Sequence, residues 1–223
     1  MTRQILIAVA VILVIAGVAH ADEKFEHATI RLEQSITDKD AEIMLEATGG
    51  DAGLAILKVV APDGRVVADF KAPNSKLGIR SFKLESPEPK NDGQILADFP
   101  AGEYAFTGTT MGGVKLHSKA LLSHKLPDAA SFSHPQPDAK GVPVKGMLIK
   151  WGAVRNLAAY VITIEQEKTD TKMSATLPGT TTTFALPDGF LVPNAEYKIA
   201  ISTVSLEGNM SAIETSFMTA GKK

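Results

Sequence analysis

From Phe25 onward the chain alternates apolar and polar residues in short runs, and a turn signal ends almost every run. HATIRLEQSI, AEIMLEA, GLAILKVV, RVVADFK, GIRSFKLE, GEYAFTGTT and VKLHSKALL follow one another through the first half. A period of two sends alternate side chains to opposite faces of a strand, whereas a helix needs apolar residues every three or four positions. Between the runs stand Thr48-Gly49-Gly50, Pro62-Asp63-Gly64, Lys90-Asn91-Asp92-Gly93, Pro100-Ala101-Gly102 and Met111-Gly112-Gly113. In Pro62-Asp63-Gly64 the proline presets the backbone for a turn and the glycine takes a positive φ, so residues 54–60 and 65–71 are predicted to form a hairpin. No segment beyond the N-terminal leader sustains helical spacing. The fold class is all-β.

The leader reads MTRQILIAVAVILVIAGVAHADEKF. Arg3 gives a short positive start, Ile5 to Val18 are apolar without a charge, and Ala19-His20-Ala21 supplies small residues around a cut before Asp22. That is the layout of a secretory signal peptide over residues 1–21, and it places the protein in the periplasm or outside the cell. The rival reading is a retained membrane anchor, but its apolar core falls short of the roughly 18 residues a spanning helix usually needs. No membrane span is expected in the mature chain. Without residues 1–21 the chain keeps 22 basic residues, having lost only Arg3 of 23, against 25 acidic ones, a net charge of −3. Nothing there forms the clustered basic footprint that nucleic acid requires. The chain has no cysteine, so no disulfide braces it and apolar burial alone must hold its cores. An exported chain without disulfides fits a bacterial envelope.

The alternation stops at residues 125–130, Lys-Leu-Pro-Asp-Ala-Ala, and restarts beyond. Two tandem β-sandwich domains, 22–125 and 126–221, follow from that break. In the second, Met147, Ile149 and Trp151 alternate, as do Tyr160, Ile162 and Ile164, which gives each strand one bulky face to bury against a second sheet. Leu191-x-Pro193-x-x-x-Tyr197 then leads into another alternating run. A tyrosine near the start of a late strand can fold inward and bond back to upstream backbone, locking the crossover as a tyrosine corner.

From about Leu126 to Thr219 the chain resembles a fibronectin type III domain. The marks are Pro127 at the start, Trp151 in the second strand, Tyr160 in the third, the Leu191–Pro193–Tyr197 corner, Gly208-Asn209-Met210-Ser211 in the last loop and Phe217-Met218-Thr219 in the closing strand. Pro187-Asp188-Gly189-Phe190 lengthens the approach to the corner, and the last hairpin loop lacks the Arg-Gly-Asp tripeptide that some members use to bind cell receptors. The first half more loosely resembles a bacterial immunoglobulin-like module, through its Pro-Asp-Gly hairpin and Ala101-Gly102-Glu103-Tyr104-x-Phe106. A jelly roll or small barrel has a similar strand count. The resemblance implies structural roles for Trp151, Tyr160, Leu191, Pro193 and Tyr197, the aromatics packed in the core, Leu191 as the plug of the corner and Pro193 stiffening the connection, and a binding or scaffolding role for the protein.

Candidate chemistry is sparse. His117-Ser118, Ser123-His124 and Ser133-His134 are sequence neighbours, which on a strand point to opposite faces and cannot act as nucleophile and base. No Gly-x-Ser-x-Gly elbow is present. Asp38, Asp40 and Glu42 alternate, and on an extended segment would line three carboxylates along one side, a weak Ca²⁺ candidate. Lys39 among them and the missing loop glycine favour a solvated turn instead. Residues 85–93, with two prolines, read as a surface loop of the kind that carries binding residues on rigid sandwiches. Asn209-Met210-Ser211 is a glycosylation acceptor by pattern. No catalytic residue, cofactor or metal is expected. The sequence points to an exported, non-enzymatic protein that presents loops and strand edges to a protein or envelope partner. The alternatives are a polysaccharide-binding module, which needs exposed aromatics, and a hydrolase with a deep polar pocket at the junction near residues 126–130.

Overall fold

The computed structural model describes residues 23–74, 76–88 and 92–221; the expected signal peptide, 1–21, lies outside them. The first half contains β1 (His27–Ser35), β2 (Asp40–Thr48), β3 (Leu54–Val60), β4 (Val66–Lys71), β5 (Ser81–Glu85), α1 (Asp92–Asp98), β6 (Gly102–Thr110) and β7 (Lys115–Leu122). The second contains β8 (Phe132–His134), β9 (Ala139–Val142), β10 (Leu148–Trp151), β11 (Leu157–Gln166), β12 (Thr171–Pro178), β13 (Thr183–Ala185), β14 (Glu196–Ser205) and β15 (Met210–Thr219). The described residues are all-β apart from α1 and one turn of 3₁₀ helix at Glu167–Thr169.

Each half closes its own core. Ile30, Leu32, Ile43 and Leu45 from β1 and β2 meet Leu57, Val59, Tyr104 and Phe106 from β3 and β6. In the second half Met147, Ile149 and Trp151 meet Tyr160, Ile162, Ile199, Ile201 and Phe217. The alternation seen in the sequence is thus the alternation of core and surface. Leu126 packs on the first cluster and Ala130 belongs to the second.

The halves repeat one topology. In the first, β1-β2-β5 faces β4-β3-β6-β7; in the second, β8-β10-β13 faces β12-β11-β14-β15. The Pro62-Asp63-Gly64 hairpin forms as its residues require: β3 pairs antiparallel with β4, Gly64 sits at φ +86°, and the Ala61 N–H bonds the Arg65 carbonyl at 2.8 Å.

The loop expected over 85–93 is overturned at its far end, where α1 begins at Asp92. Barely two turns long, α1 is too short to show periodicity in sequence, and tertiary contacts hold it. Ile95 is buried in the first core, and Arg65 from the hairpin turn donates to the Asp98 carbonyl at 2.8 Å. Helices this short are marginal alone and form because packing supports them.

The largest departure from a tandem pair lies between the halves. β1 pairs in parallel with β15, placing Glu33 opposite Met210 and Ser35 opposite Ala212. The three-stranded sheet of the first half and the four-stranded sheet of the second thereby fuse. The order is β12-β11-β14-β15-β1-β2-β5, with β9 also paired to β15. Sequence alternation specifies which face of a strand is apolar, but is silent on which edge meets which.

Candidate functional site

The seam between the halves carries a network of buried polar side chains. β14 runs inward-facing as Tyr197, Ile199, Ile201, then turns polar at Thr203 and Ser205, which are buried. The polar switch matches what lies above it: the connecting segment crosses there, and its carbonyls need donors. Thr203 Oγ1 donates to the Asp128 carbonyl at 2.9 Å, and Ser211 Oγ to the Pro127 carbonyl at 2.8 Å.

Asn209 holds both halves at once. It is 1% exposed. Its Nδ2 donates to the Ser123 and Lys125 carbonyls at 2.7 and 3.1 Å, and its Oδ1 accepts from the Leu32 N–H at 2.9 Å. One side chain therefore ties β1, the connector and the β14–β15 turn. Gly208, at φ +95°, makes that turn possible. Farther along, the Ile36 N–H bonds the Ala212 carbonyl at 2.9 Å, and Thr37 Oγ1 accepts from the Glu214 N–H at 2.8 Å. The sequence pattern marked Asn209 as a glycosylation acceptor; the fold spends its amide nitrogen internally and buries it. The overlooked signal was the change from Ile201 to Thr203 and Ser205 within one alternating run.

The fused sheet exposes one broad outer face with an acidic trough at the seam, a cavity of about 370 Å³. Glu33, Asp40, Glu42 and Glu88 line it from the first half and Glu165 and Glu214 from the second, with Asp38 at the turn and Lys172 and Lys198 at one side. Burial, then repulsion from Glu33, Glu85 and Glu88, raises the Glu42 pKa above its ordinary 4.5. Burial and Asp38 across the seam do the same for Glu214. The trough gathers Asp38, Asp40 and Glu42, but not as the extended triplet that the weak Ca²⁺ candidate would require. Asp38 lies in the turn between β1 and β2, its carboxylate accepting from Ser35 Oγ at 2.8 Å, and Lys39 adopts φ +62°. Among the described residues no three carboxylate or imidazole groups converge closely enough to hold a metal ion.

Each remaining candidate has a clear place. Trp151, Tyr160, Leu191 and Tyr197 are buried in the second core. Trp151 and Tyr160 pack with ring centroids 5.3 Å apart, and Tyr197 stacks on Phe217 at 5.7 Å. The Tyr160 hydroxyl accepts the Val154 N–H at 2.8 Å. The Tyr197 hydroxyl accepts the Val192 N–H at 3.0 Å and donates to the Phe190 carbonyl at 3.3 Å, spanning the turn that carries Leu191 and Pro193. Sequence reading missed its counterpart: Tyr104, fully buried at the start of β6, donates to the Pro100 carbonyl at 3.1 Å. Burial pushes the Tyr104 phenol up to about 12. Its signal was present, since Pro100-Ala101-Gly102-Glu103-Tyr104 and Pro193-Asn194-Ala195-Glu196-Tyr197 share one Pro-x-x-Glu-Tyr pattern.

Ser123 and His124 do not bond each other as a relay. His124 bonds the Phe99 carbonyl at 2.8 Å, and Ser123 Oγ accepts the Lys125 N–H at 3.0 Å. At the junction, a depression of about 360 Å³ is lined by Lys125, Asp128, Arg155, Asn156 and Glu207, open to solvent beside the exposed Leu206. Every aromatic side chain is buried or partly buried, so no aromatic strip lies open for sugar stacking.

No family model matches the chain, and no curated protein matches it. Among solved structures, a two-domain fibronectin type III segment of chicken tenascin is 17% identical, covers 89% of this chain and 98% of its own, and superposes with a TM-score of 0.33. Fibronectin(III)-like modules of CbhA from Clostridium thermocellum are 9% identical, cover 87% and 95%, and give 0.34. At such TM-scores neither likeness carries an argument about this protein.

Proposed function

We propose that the chain is an exported, non-enzymatic scaffold of two β-sandwich domains, 22–125 and 126–221, that presents two sets of surfaces to an envelope partner at a fixed mutual angle. The observation that carries this reading is the seam. Parallel pairing of β1 with β15 and the three bonds of Asn209 oppose rotation of one half against the other. Polar linkers without such contacts leave domains free to reorient. An elaborated joint suits a protein that holds and positions. Strand edges and loops on such a body are available for pairing or contact. The buried aromatics speak against the polysaccharide alternative, and the open depression at residues 125–128 lacks the enclosed polar convergence a hydrolase needs.

The chain contains no cysteine, so a cysteine pair can be introduced cleanly, one at Lys71 and one at Lys172, for spin-label distance measurement on the full protein. A single narrow distance distribution that broadens in Asn209→Ala supports fixed presentation. A broad distribution in the otherwise native protein overturns it.

A further inference from the structure

The two sheets of the first half have outer faces pointing in opposite directions, as in any sandwich. One belongs to the fused sheet and carries the acidic trough. The other is the outer face of β4-β3-β6-β7. Register sets its rows: Lys71, Ile56, Thr109 and Lys115; Asp69, Lys58, Thr107 and His117; Val66, Val60, Ala105 and Lys119. Leu121, opposite Glu103, extends it along β7. Lys24 joins from the N-terminal segment, lining a shallow depression of about 440 Å³ with Thr107, His117 and Lys119. Five lysines thus share a face with Asp69 and Glu103, in a chain whose net charge is −2. Among them Ile56, Val66 and Leu121 stand 37%, 49% and 63% exposed.

We propose that this face lies flat against an anionic lipid surface. The inference rests on the scaffold reading and names its envelope partner. Lysines surrounding exposed aliphatics are the composition of a surface that seats at a bilayer interface: the stems lie along apolar ground while the ammonium groups meet phosphates. The opposite face, with its acidic trough, is repelled by the same surface and turns away, which fixes the orientation. The path of the chain agrees. Glu23 is hydrogen-bonded to β7, its N–H to the Lys115 carbonyl at 3.0 Å and its carbonyl to the His117 N–H at 2.8 Å, so the chain arrives beside this face. Only Ala19 to Asp22 separate Glu23 from the apolar run ending at Val18. That is at most about 17 Å of extended chain. An apolar segment seated in the bilayer, during export or as a retained anchor, delivers this face to the headgroups.

The test uses the mature chain from Asp22, without the apolar leader that would insert into any bilayer, and vesicles of phosphatidylcholine, alone or mixed with phosphatidylglycerol, carrying a headgroup-linked quencher. A fluorophore is placed at Thr107→Cys on the lysine face or Ser174→Cys on the outer face of the fused sheet. Quenching at position 107 but not 174, only with the anionic lipid and weakening as salt rises, is the expected result. Each lysine near such a surface strengthens partitioning about fivefold. The triple variant Lys58→Gln/Lys115→Gln/Lys119→Gln then loses about 100-fold, while Lys172→Gln/Lys198→Gln changes little. All the replaced side chains are exposed, and circular dichroism verifies that both variants fold. Equal quenching at both positions, quenching at neither, or insensitivity to the triple replacement overturns the proposal. So does a lipid-free dimer in sedimentation that the triple variant dissolves, which would assign the face to a second copy. A failure on vesicles with narrow spin-label distances leaves the scaffold reading intact, and broad distances overturn that reading whatever the vesicles show.

Discussion

Tyr104 and Tyr197 occupy the same place in the two halves, each one residue after a Pro-x-x-Glu and near the start of the next-to-last strand of its sandwich, yet they do unequal work. Tyr104 makes one backbone bond, to Pro100, whereas Tyr197 makes two and lies between the rings of Phe190 and Phe217. The difference follows from what precedes each. In the first half α1 fills the crossover and is held independently by Ile95 and Arg65, so the tyrosine has little left to lock. In the second half the crossover is an irregular turn, and the phenol braces it together with Thr219, whose hydroxyl donates to the Val192 carbonyl at 2.7 Å and accepts the Ala195 N–H at 2.8 Å. One local pattern thus carries different loads according to its surroundings.

The strongest way to break this comparison is to uncouple the halves. Asn209→Ala leaves the Leu32 N–H and the Ser123 and Lys125 carbonyls without their partner. It is expected to cost about 3 kcal/mol, at roughly 1 kcal/mol for each lost bond. Calorimetry should then resolve two transitions where the native protein shows one; a single unshifted transition would refute a mechanical role for the seam. The phenylalanine replacements sharpen the comparison further. Tyr197→Phe should destabilise by about 2 kcal/mol and Tyr104→Phe by about 1 kcal/mol, in proportion to the bonds removed. Equal losses in urea titration would mean that the two corners carry the same load.

The smallest effect concerns acidity. Glu42 and Glu214 bind protons more readily in the folded protein than in the unfolded chain, so their protonation favours folding. That contribution is fully present below pH 4.5 and is lost as pH rises through their elevated values. Above both, burial and neighbouring carboxylates oppose the charged forms. Glu42→Gln and Glu214→Gln should each raise the melting midpoint slightly near neutral pH, and the gain should vanish below pH 4.5. Glu42 is crowded within its own half, Glu214 by Asp38 across the seam. The Glu214→Gln gain alone should therefore shrink in the Asn209→Ala background; equal shrinkage of both would sink the assignment of Asp38 as its neighbour.

Much of the fold was legible because strands announce themselves locally. The run HATIRLEQSI became β1, and LVPNAEYKIAISTVS became the corner and β14, since burying one face of a strand leaves a period of two in the residues themselves. Helix α1 was illegible because it is shorter than the window in which its period could be seen. Asp38 lies in a turn that Lys39 makes with a positive φ, and alternation on paper does not by itself tell such a turn from an extended segment. Asn209 was read as a surface acceptor because its burial depends on Ser123, Lys125 and Leu32, residues far from it in sequence.

The sequence by itself determined that the chain would be all-β, which residues of each strand would face a core, and where hairpins would turn, since these depend on neighbours within a few positions. The tertiary structure alone decided that β1 and β15 would fuse two sheets into one, and that acidic and lysine-rich faces would look in opposite directions. Edge pairing and face charge arise from segments far apart in the chain, and no local pattern encodes which distant backbone will supply the partner to an open row of N–H and carbonyl groups.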